Sequence, residues 1–141
     1  MNCIGVDIGS QDHVAYFPES QETFRFSNTE SGFVAFHQKL TSYAEQDNLH
    51  VVMEATGVYH QRLAQYLHHH QVPVAVLNPA QVKYYAKSQL RRSKTDPVDA
   101  RIISAYATRH EVKRFEPLAT ARQHLQQTCT AREAEIGRAH V

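Results

Sequence analysis

No apolar run in this chain approaches the ~20 residues that a membrane-spanning helix needs. The N-terminus has no basic segment followed by an apolar one, so no signal peptide is expected. Cysteine is scarce: Cys3 and Cys129 are too far apart in sequence to make a close metal-binding pair. Two distant thiols without export signals predict a reduced, cytoplasmic protein with no membrane partner. Basic side chains are also scarce in one region. Residues 1–82 hold only Arg25, Lys39 and Arg62 against eight acids, a net charge of −5.

What is present balances that deficit. Residues 83–114 hold nine basic side chains against three acidic, a net charge of +6. Lys83, Lys87, Arg91, Arg92 and Lys94 crowd its first half. A concentrated basic segment is the footprint of a polyanion site; charge alone equally suits a solvated helix face. The 141 residues, 42% hydrophobic and 21% charged, have the composition of an ordinary globular domain.

The hydrophobic pattern predicts strands over residues 2–8, 13–18 and 23–27, joined by tight turns into an antiparallel meander. Phe33, Phe36, Leu40 and Tyr43 fall at helical spacing, which predicts an amphipathic helix over 31–45. Residues 50–54 form a short apolar run ending in Glu54, the pattern of a buried parallel strand. A helix over 58–70 should follow, with Leu63, Tyr66 and Leu67 inward and the histidines 68–70 at its end. Next come a strand over 72–77 and a short helix over 79–88 that starts on Pro79. Lys83, Lys87 and Arg91 share one face of it. A basic loop over 89–94 precedes a helix with Pro97 at its first position, running through Ile102, Ile103, Tyr106 and Ala107. Residues 118–136 look helical but are poor in apolar residues. The order predicts an α/β fold: a mixed sheet flanked by helices, with the first strand central beside the fourth.

Four acids stand out. Asp7 lies in Ile4-Gly5-Val6-Asp7-Ile8-Gly9-Ser10, a carboxylate in a core strand, which is expensive to bury without a partner or metal. Strand order places Glu54 beside it, and ligands of such sheets bind beyond the carboxyl ends of the strands. Asp96 and Asp99, three apart at a helix start, can share a face. The last two also suit a structural role, Asp96 as cap and Asp99 offsetting the helix dipole. Four converging carboxylates would repel one another unless cations held them together. Hard oxygen ligands suit Mg²⁺ or Mn²⁺, and a pair of such ions serves phosphodiester chemistry. The basic segment would then hold a nucleic-acid backbone against the site.

Gly5-Val6-Asp7-Ile8-Gly9-Ser10, Met53-Glu54-Ala55-Thr56-Gly57-Val58-Tyr59, Asn78-Pro79 and Lys94-Thr95-Asp96-Pro97-Val98-Asp99-Ala100 occur in that order. Together they resemble the N-terminal domain of DEDD-type insertion-sequence transposases, relatives of the Piv/MooV-type invertases. The resemblance covers residues 1–115. It implies a RuvC-like domain of the ribonuclease H-like fold, with Asp7, Glu54, Asp96 and Asp99 as the catalytic, metal-binding tetrad. It further implies DNA as substrate, a structured guide RNA, homo-oligomers of the full-length protein, and a separate C-terminal domain that supplies a serine nucleophile. Residues 116–141 resemble the start of that family's coiled-coil arm. The expectation is therefore a catalytic domain fragment that does not recombine DNA alone. Residues 137–141 match no recognised pattern.

Two other functions remain open at this level. Asp7-Ile8-Gly9-Ser10 also resembles the first phosphate loop of actin-like ATPases and sugar kinases. Those need a second lobe and glycine-rich adenosine contacts, and this chain has five glycines. The other is a non-catalytic nucleic-acid-binding module, in which Lys83, Lys87, Arg91, Arg92 and Lys94 bind and the acids only cap and solvate.

Overall fold

The computed structural model describes residues 2–43, 49–55, 57–89, 99–110, 112 and 114–115. Strands β1 (Asn2–Asp7), β2 (Asp12–Phe17) and β3 (Glu22–Ser27) form the expected antiparallel meander. β2 shows why the segment is a strand: His13, Ala15 and Phe17 are buried, whereas Asp12, Val14 and Tyr16 between them keep contact with solvent. Then come α1 (Glu30–Ser42), β4 (Leu49–Glu54), α2 (Gln61–His69), β5 (Val74–Leu77), α3 (Pro79–Gln89) and α4 (Ala100–Arg109). The five strands are ordered β3-β2-β1-β4-β5. β1 is central, antiparallel to β2 and parallel to β4, and β4 is parallel to β5.

The two faces of the sheet differ. On one, Ile4, Val6, Ala15, Phe17, Val51 and Met53 pack with Phe33, Phe36 and Leu40 of α1 and Leu63 and Leu67 of α2. On the other, Cys3, Val52, Ala75 and Leu77 meet Val82 and Ala86 of α3 and Ile102, Ile103 and Ala107 of α4. Among the described residues, no helix is long and apolar enough to cross a membrane.

Several element ends differ from the periodic expectation, each for a local reason. Helix α1 stops at Ser42, because Tyr43 leaves the helix to stack on Phe17 at 4.5 Å. Its start is capped by Thr29, whose Oγ1 accepts from the Gly32 amide at 3.2 Å. Helix α2 starts only at Gln61, since Gly57 has φ +57° and residues 57–60 form a turn. It ends in a Schellman arrangement. Gln71 takes φ 63°, its amide bonds the His68 carbonyl, and the Val72 amide bonds that of Leu67. That motif consumes 70–72 and delays β5 to Val74. Helix α3 does start on Pro79, with Asn78 Oδ1 accepting from the Ala80 amide at 2.8 Å.

Helix α4 requires a correction. It begins at Ala100, and Asp99 is its cap in an extended conformation, φ −110° and ψ 179°. The Asp99 carboxylate accepts from the Ile102 amide at 3.1 Å, which nucleates the helix there rather than at Pro97. The expected shared face of Asp96 and Asp99 involves Asp96, which lies outside the described residues, as do Arg91, Arg92, Lys94, Cys129 and the arm expected over 116–141.

Candidate functional site

Sheet register builds the site. Asp7 pairs with Val14, and Val14 with Arg25. Val6 pairs with Met53, so one step further along the parallel strands Asp7 lies alongside Glu54, which pairs in turn with Leu77. Side chains alternate along a strand. Asp7 therefore shares a face with Cys3 and Gly5, and Glu54 with Val52. That is the face on which α4 lies, and both acids stand at the carboxyl ends of their strands.

Helix α4 crosses β1 at Gly5. A Cβ at Gly5 would lie 2.1 Å from the Ala100 carbonyl oxygen and 2.6 Å from the Ser104 nitrogen. Only glycine admits this approach. Ser104 Oγ fixes it by donating to the Cys3 carbonyl at 2.7 Å in a buried hydrogen bond. The first turn of α4 thus rests on the strand two residues before Asp7, and its cap, Asp99, comes next to the strand end.

The electrostatics agree. Burial raises the Asp7 pKa above the usual carboxylate range, the negative charge of Asp99 raises it further, and Arg25 pulls it back. Burial likewise raises that of Glu54; the charge of Asp7 adds to it and Lys83 opposes it. Asp7 is thus coupled to an acid on either side. Among the described residues, no three His, Cys, Asp or Glu groups are arranged to hold a metal ion. The donors present are hard carboxylate oxygens whose mutual repulsion a dication would offset, so their chemistry fits Mg²⁺ or Mn²⁺.

Of the expected basic contacts, Lys83 and Lys87 are described. Both are exposed on α3, and Lys83 lies close enough to the acids for Glu54 to feel its charge.

His13 was placed on a strand by the sequence but given no role. It is fully buried in β2, and its Nδ1 accepts the Gly9 amide at 3.2 Å. It therefore ties down the turn that follows Asp7. The ring stacks parallel to Phe33 and edge-on to Phe26. Burial lowers its pKa, which keeps the ring neutral as the acceptor role demands. Asn28 holds the other side of the turn: its Nδ2 donates to the Ser10 carbonyl and its amide to that of Gln11. The one sequence signal was a histidine at a position that the alternation with Ala15 and Phe17 assigns to the core.

Comparison with known proteins now has a geometry to rest on. A family described as transposase, of the DEDD type named for IS110, matches residues 4–139. The chain is 30% identical over 117 residues to the pilin gene-inverting protein of Moraxella lacunata, covering 81% of this chain and 36% of that protein. The same figures hold for the pilin gene-inverting protein of Moraxella bovis. The chain spans about a third of the length of these curated relatives. Among solved structures it is similar to T. thermophilus RuvC in complex with Holliday junction substrate. The TM-score is 0.52 at 13% identity, over 82% of this chain and 100% of that one. At that identity the similarity speaks for the fold, which is the expected RuvC-like, ribonuclease H-like α/β sheet. The motifs around Asp7, Glu54 and Asp99 thus sit on the scaffold that their resemblance implied, and the chain belongs to the DEDD transposase family.

Proposed function

We propose that residues 1–115 form a divalent-metal-dependent catalytic domain for DNA strand cleavage and transfer, acting in DNA transposition or site-specific inversion. Asp7, Glu54, Asp96 and Asp99 are its metal-binding carboxylates. One observation supports this above the others. Asp7 and Glu54 end adjacent strands on the face that carries α4, where Asp7 feels the charge of Asp99, the α4 cap, and Glu54 that of Asp7. A structural role explains Asp99 as a cap, but not why two adjacent buried strands, β1 and β4, should each end in an acid beside it.

The protein's own groups divide the work. The strand ladders hold Asp7 and Glu54 at fixed separation. The bond from the Ile102 amide fixes Asp99 Oδ1 and leaves Oδ2 outside that bond. Two Mg²⁺ or Mn²⁺ ions, when bound, would supply activation of the attacking oxygen and stabilisation of the leaving one. Lys83, Lys87, Arg91, Arg92 and Lys94 hold the phosphate backbone by charge. DNA and a structured guide RNA are the partners, the full-length protein forms homo-oligomers, and the compartment is the cytoplasm. The curated relatives are longer proteins, of which this chain covers 36%, so completing strand exchange is expected to need more than residues 1–115.

Mn²⁺ should raise the melting temperature of the chain, by the equivalent of about 2.7 kcal/mol at a hundred-fold excess over Kd. Asp7→Asn should abolish that response, and so should Asp99→Asn, which keeps a capping oxygen. In the full-length protein Asp7→Ala should abolish strand cleavage. If both asparagine variants respond to Mn²⁺ like the parent, the metal centre is wrong and a binding module remains.

A further inference from the structure

Helices α3 and α4 leave a groove of about 360 Å³ at their outer edge. Its walls are rings: Tyr84 and Tyr85 from α3, and Tyr106 and His110 from α4 and its end, with Gln81 and Ser88 as polar neighbours. Tyr106 and His110 stack on each other, centroids 4.2 Å apart and planes 13° from parallel. Tyr85 is buried and sets its ring perpendicular to both, at 5.4 and 5.5 Å. Three rings are therefore locked in place. The fourth, Tyr84, is 73% exposed, the most exposed large hydrophobic side chain among the described residues.

An aromatic lining of this kind is more than a gap between helices. The pair Tyr106–His110 is oriented by a hydrogen bond in which His110 Nδ1 donates to the Tyr106 carbonyl at 2.9 Å. That tautomer leaves Nε2 as the ring's remaining polar atom and, in the neutral ring, an acceptor. Flat apolar walls, one exposed ring and an acceptor at the rim match the two faces of a nucleobase and an N–H on its edge, such as N3–H of thymine.

Charge identifies what carries the base. Lys83 and Lys87 lie one turn apart on α3. Helix α3 starts two residues after Leu77, the strand partner of Glu54, which puts its first turns and Lys83 beside that acid, and Lys87 falls between Lys83 and Tyr84 round the helix. Around the helix the order is therefore acid site, Lys83, Lys87, Tyr84, groove. A strand leaving the carboxylates would place phosphates on the two lysines and then its bases against Tyr84. A fully paired duplex has no base face to offer there.

We infer that this groove binds an unpaired base of the DNA strand held at the acid site, stacked on Tyr84 against the Tyr106–His110 wall. The inference rests on α3 as the phosphate-contacting helix. It goes beyond it in naming single-stranded DNA and a base-stacking platform. Stacking on aromatic side chains is tolerant of sequence and contributes strongly to single-strand binding, and DNA is named because the strand is the one held at the acid site.

The test uses the full chain, a labelled oligo-dT strand, an oligo-U strand, and a blunt duplex of equal length. Tyr84→Ala should weaken oligo-dT binding on the order of ten-fold and leave duplex binding and the melting temperature unchanged. Tyr84→Trp should retain or improve binding. With 5-iodouracil placed along the strand, photo-crosslinks should map to Tyr84, Tyr106 or His110. Equal loss on strand and duplex, or no loss on either, overturns the platform. Selective loss on oligo-U alone overturns it in favour of an RNA site. A change in oligomeric state in Tyr84→Ala shows instead that a second copy covers the groove. The Mn²⁺ response of Tyr84→Ala should match the parent. If that response is absent from the parent too, the metal proposal fails while the platform is judged on the strand-binding arm alone.

Discussion

The two faces of the sheet solve the same packing problem in opposite ways. Under α1 and α2 the contacts are large rings and branched chains. Phe26 and Phe36 stack at 4.4 Å, and Phe17 packs against both Phe36 and Tyr43. Under α4, Ile102 and Ile103 also fill the core, but where the helix crosses β1 the contacts are Gly5, Ala100 and Ser104, with backbone against backbone. A helix resting on long side chains can shift by tenths of an ångström while rotamers adjust. A helix resting on a glycine strand cannot, because nothing flexible lies between. The carboxylates are on the second face. The difference suggests that one face supplies burial and the other supplies position.

The largest effect is expected at Gly5. Gly5→Ala puts a methyl group 2.1 Å from the Ala100 carbonyl, so α4 must move. We expect a loss of ~3 kcal/mol or more in urea unfolding, at or above the upper end for overpacking, together with loss of the Mn²⁺ response. Phe36→Leu on the other face should cost ~1–2 kcal/mol and leave that response intact, since the cavity lies far from the acids. A Gly5→Ala protein with parental stability and metal response would erase the distinction between the faces.

A subtler contrast separates function from stability at one residue. Because burial and Asp99 raise the folded-state pKa of Asp7 above its unfolded value, the ionised group destabilises the metal-free fold at neutral pH. That penalty is relieved as pH falls through the folded pKa. Asp7→Asn should therefore melt a few degrees higher than the parent at pH 7 without divalent cations, measured by circular dichroism. A variant that melts lower would mean that Asp7 already has a stabilising partner.

The smallest expected effect concerns His13. Burial depresses its folded pKa, as it does for His50 and His60. The stability of the neutral rings is complete above the unfolded value of about 6.5 and is lost as pH falls below it. His13→Gln, which keeps an acceptor for the Gly9 amide, should flatten that acid slope and weaken Mn²⁺ binding only a few-fold. An unaltered slope would show that His13 does not titrate on unfolding.

Much of this was readable from the residues. Alternation and apolar runs located all five strands. The order of elements placed β1 beside β4, hence Asp7 beside Glu54. What periodicity could not settle was competition between equivalent caps. Asp96 and Asp99 both suit a helix start, and the cap of α4 depends on where that helix meets β1, which Gly5 decides from 95 residues earlier in the chain. Helical spacing showed that Lys83 and Lys87 share a side, but not that Lys83 leans toward Glu54. Nor does spacing show that Tyr85 is buried and Tyr84 exposed. His13 was hidden because a core histidine looks like any other core residue until its hydrogen-bond partner is known. The basic stretch 91–94, with Asp96, is known from its composition alone.

The separation of Asp7, Glu54 and Asp99 along the chain also has a kinetic meaning. The hairpins of β1, β2 and β3 close locally, whereas β4 must pair with a strand more than 40 residues earlier and α4 must return from further still. Long-range closures of this kind come late and slow folding. The repulsion among the acids then arises only once these long-range closures, and the core burial that comes with them, are made. Neutralising an acid should chiefly retard unfolding, with little effect on the rate of folding. A charge cluster assembled last therefore burdens the lifetime of the native domain more than its formation.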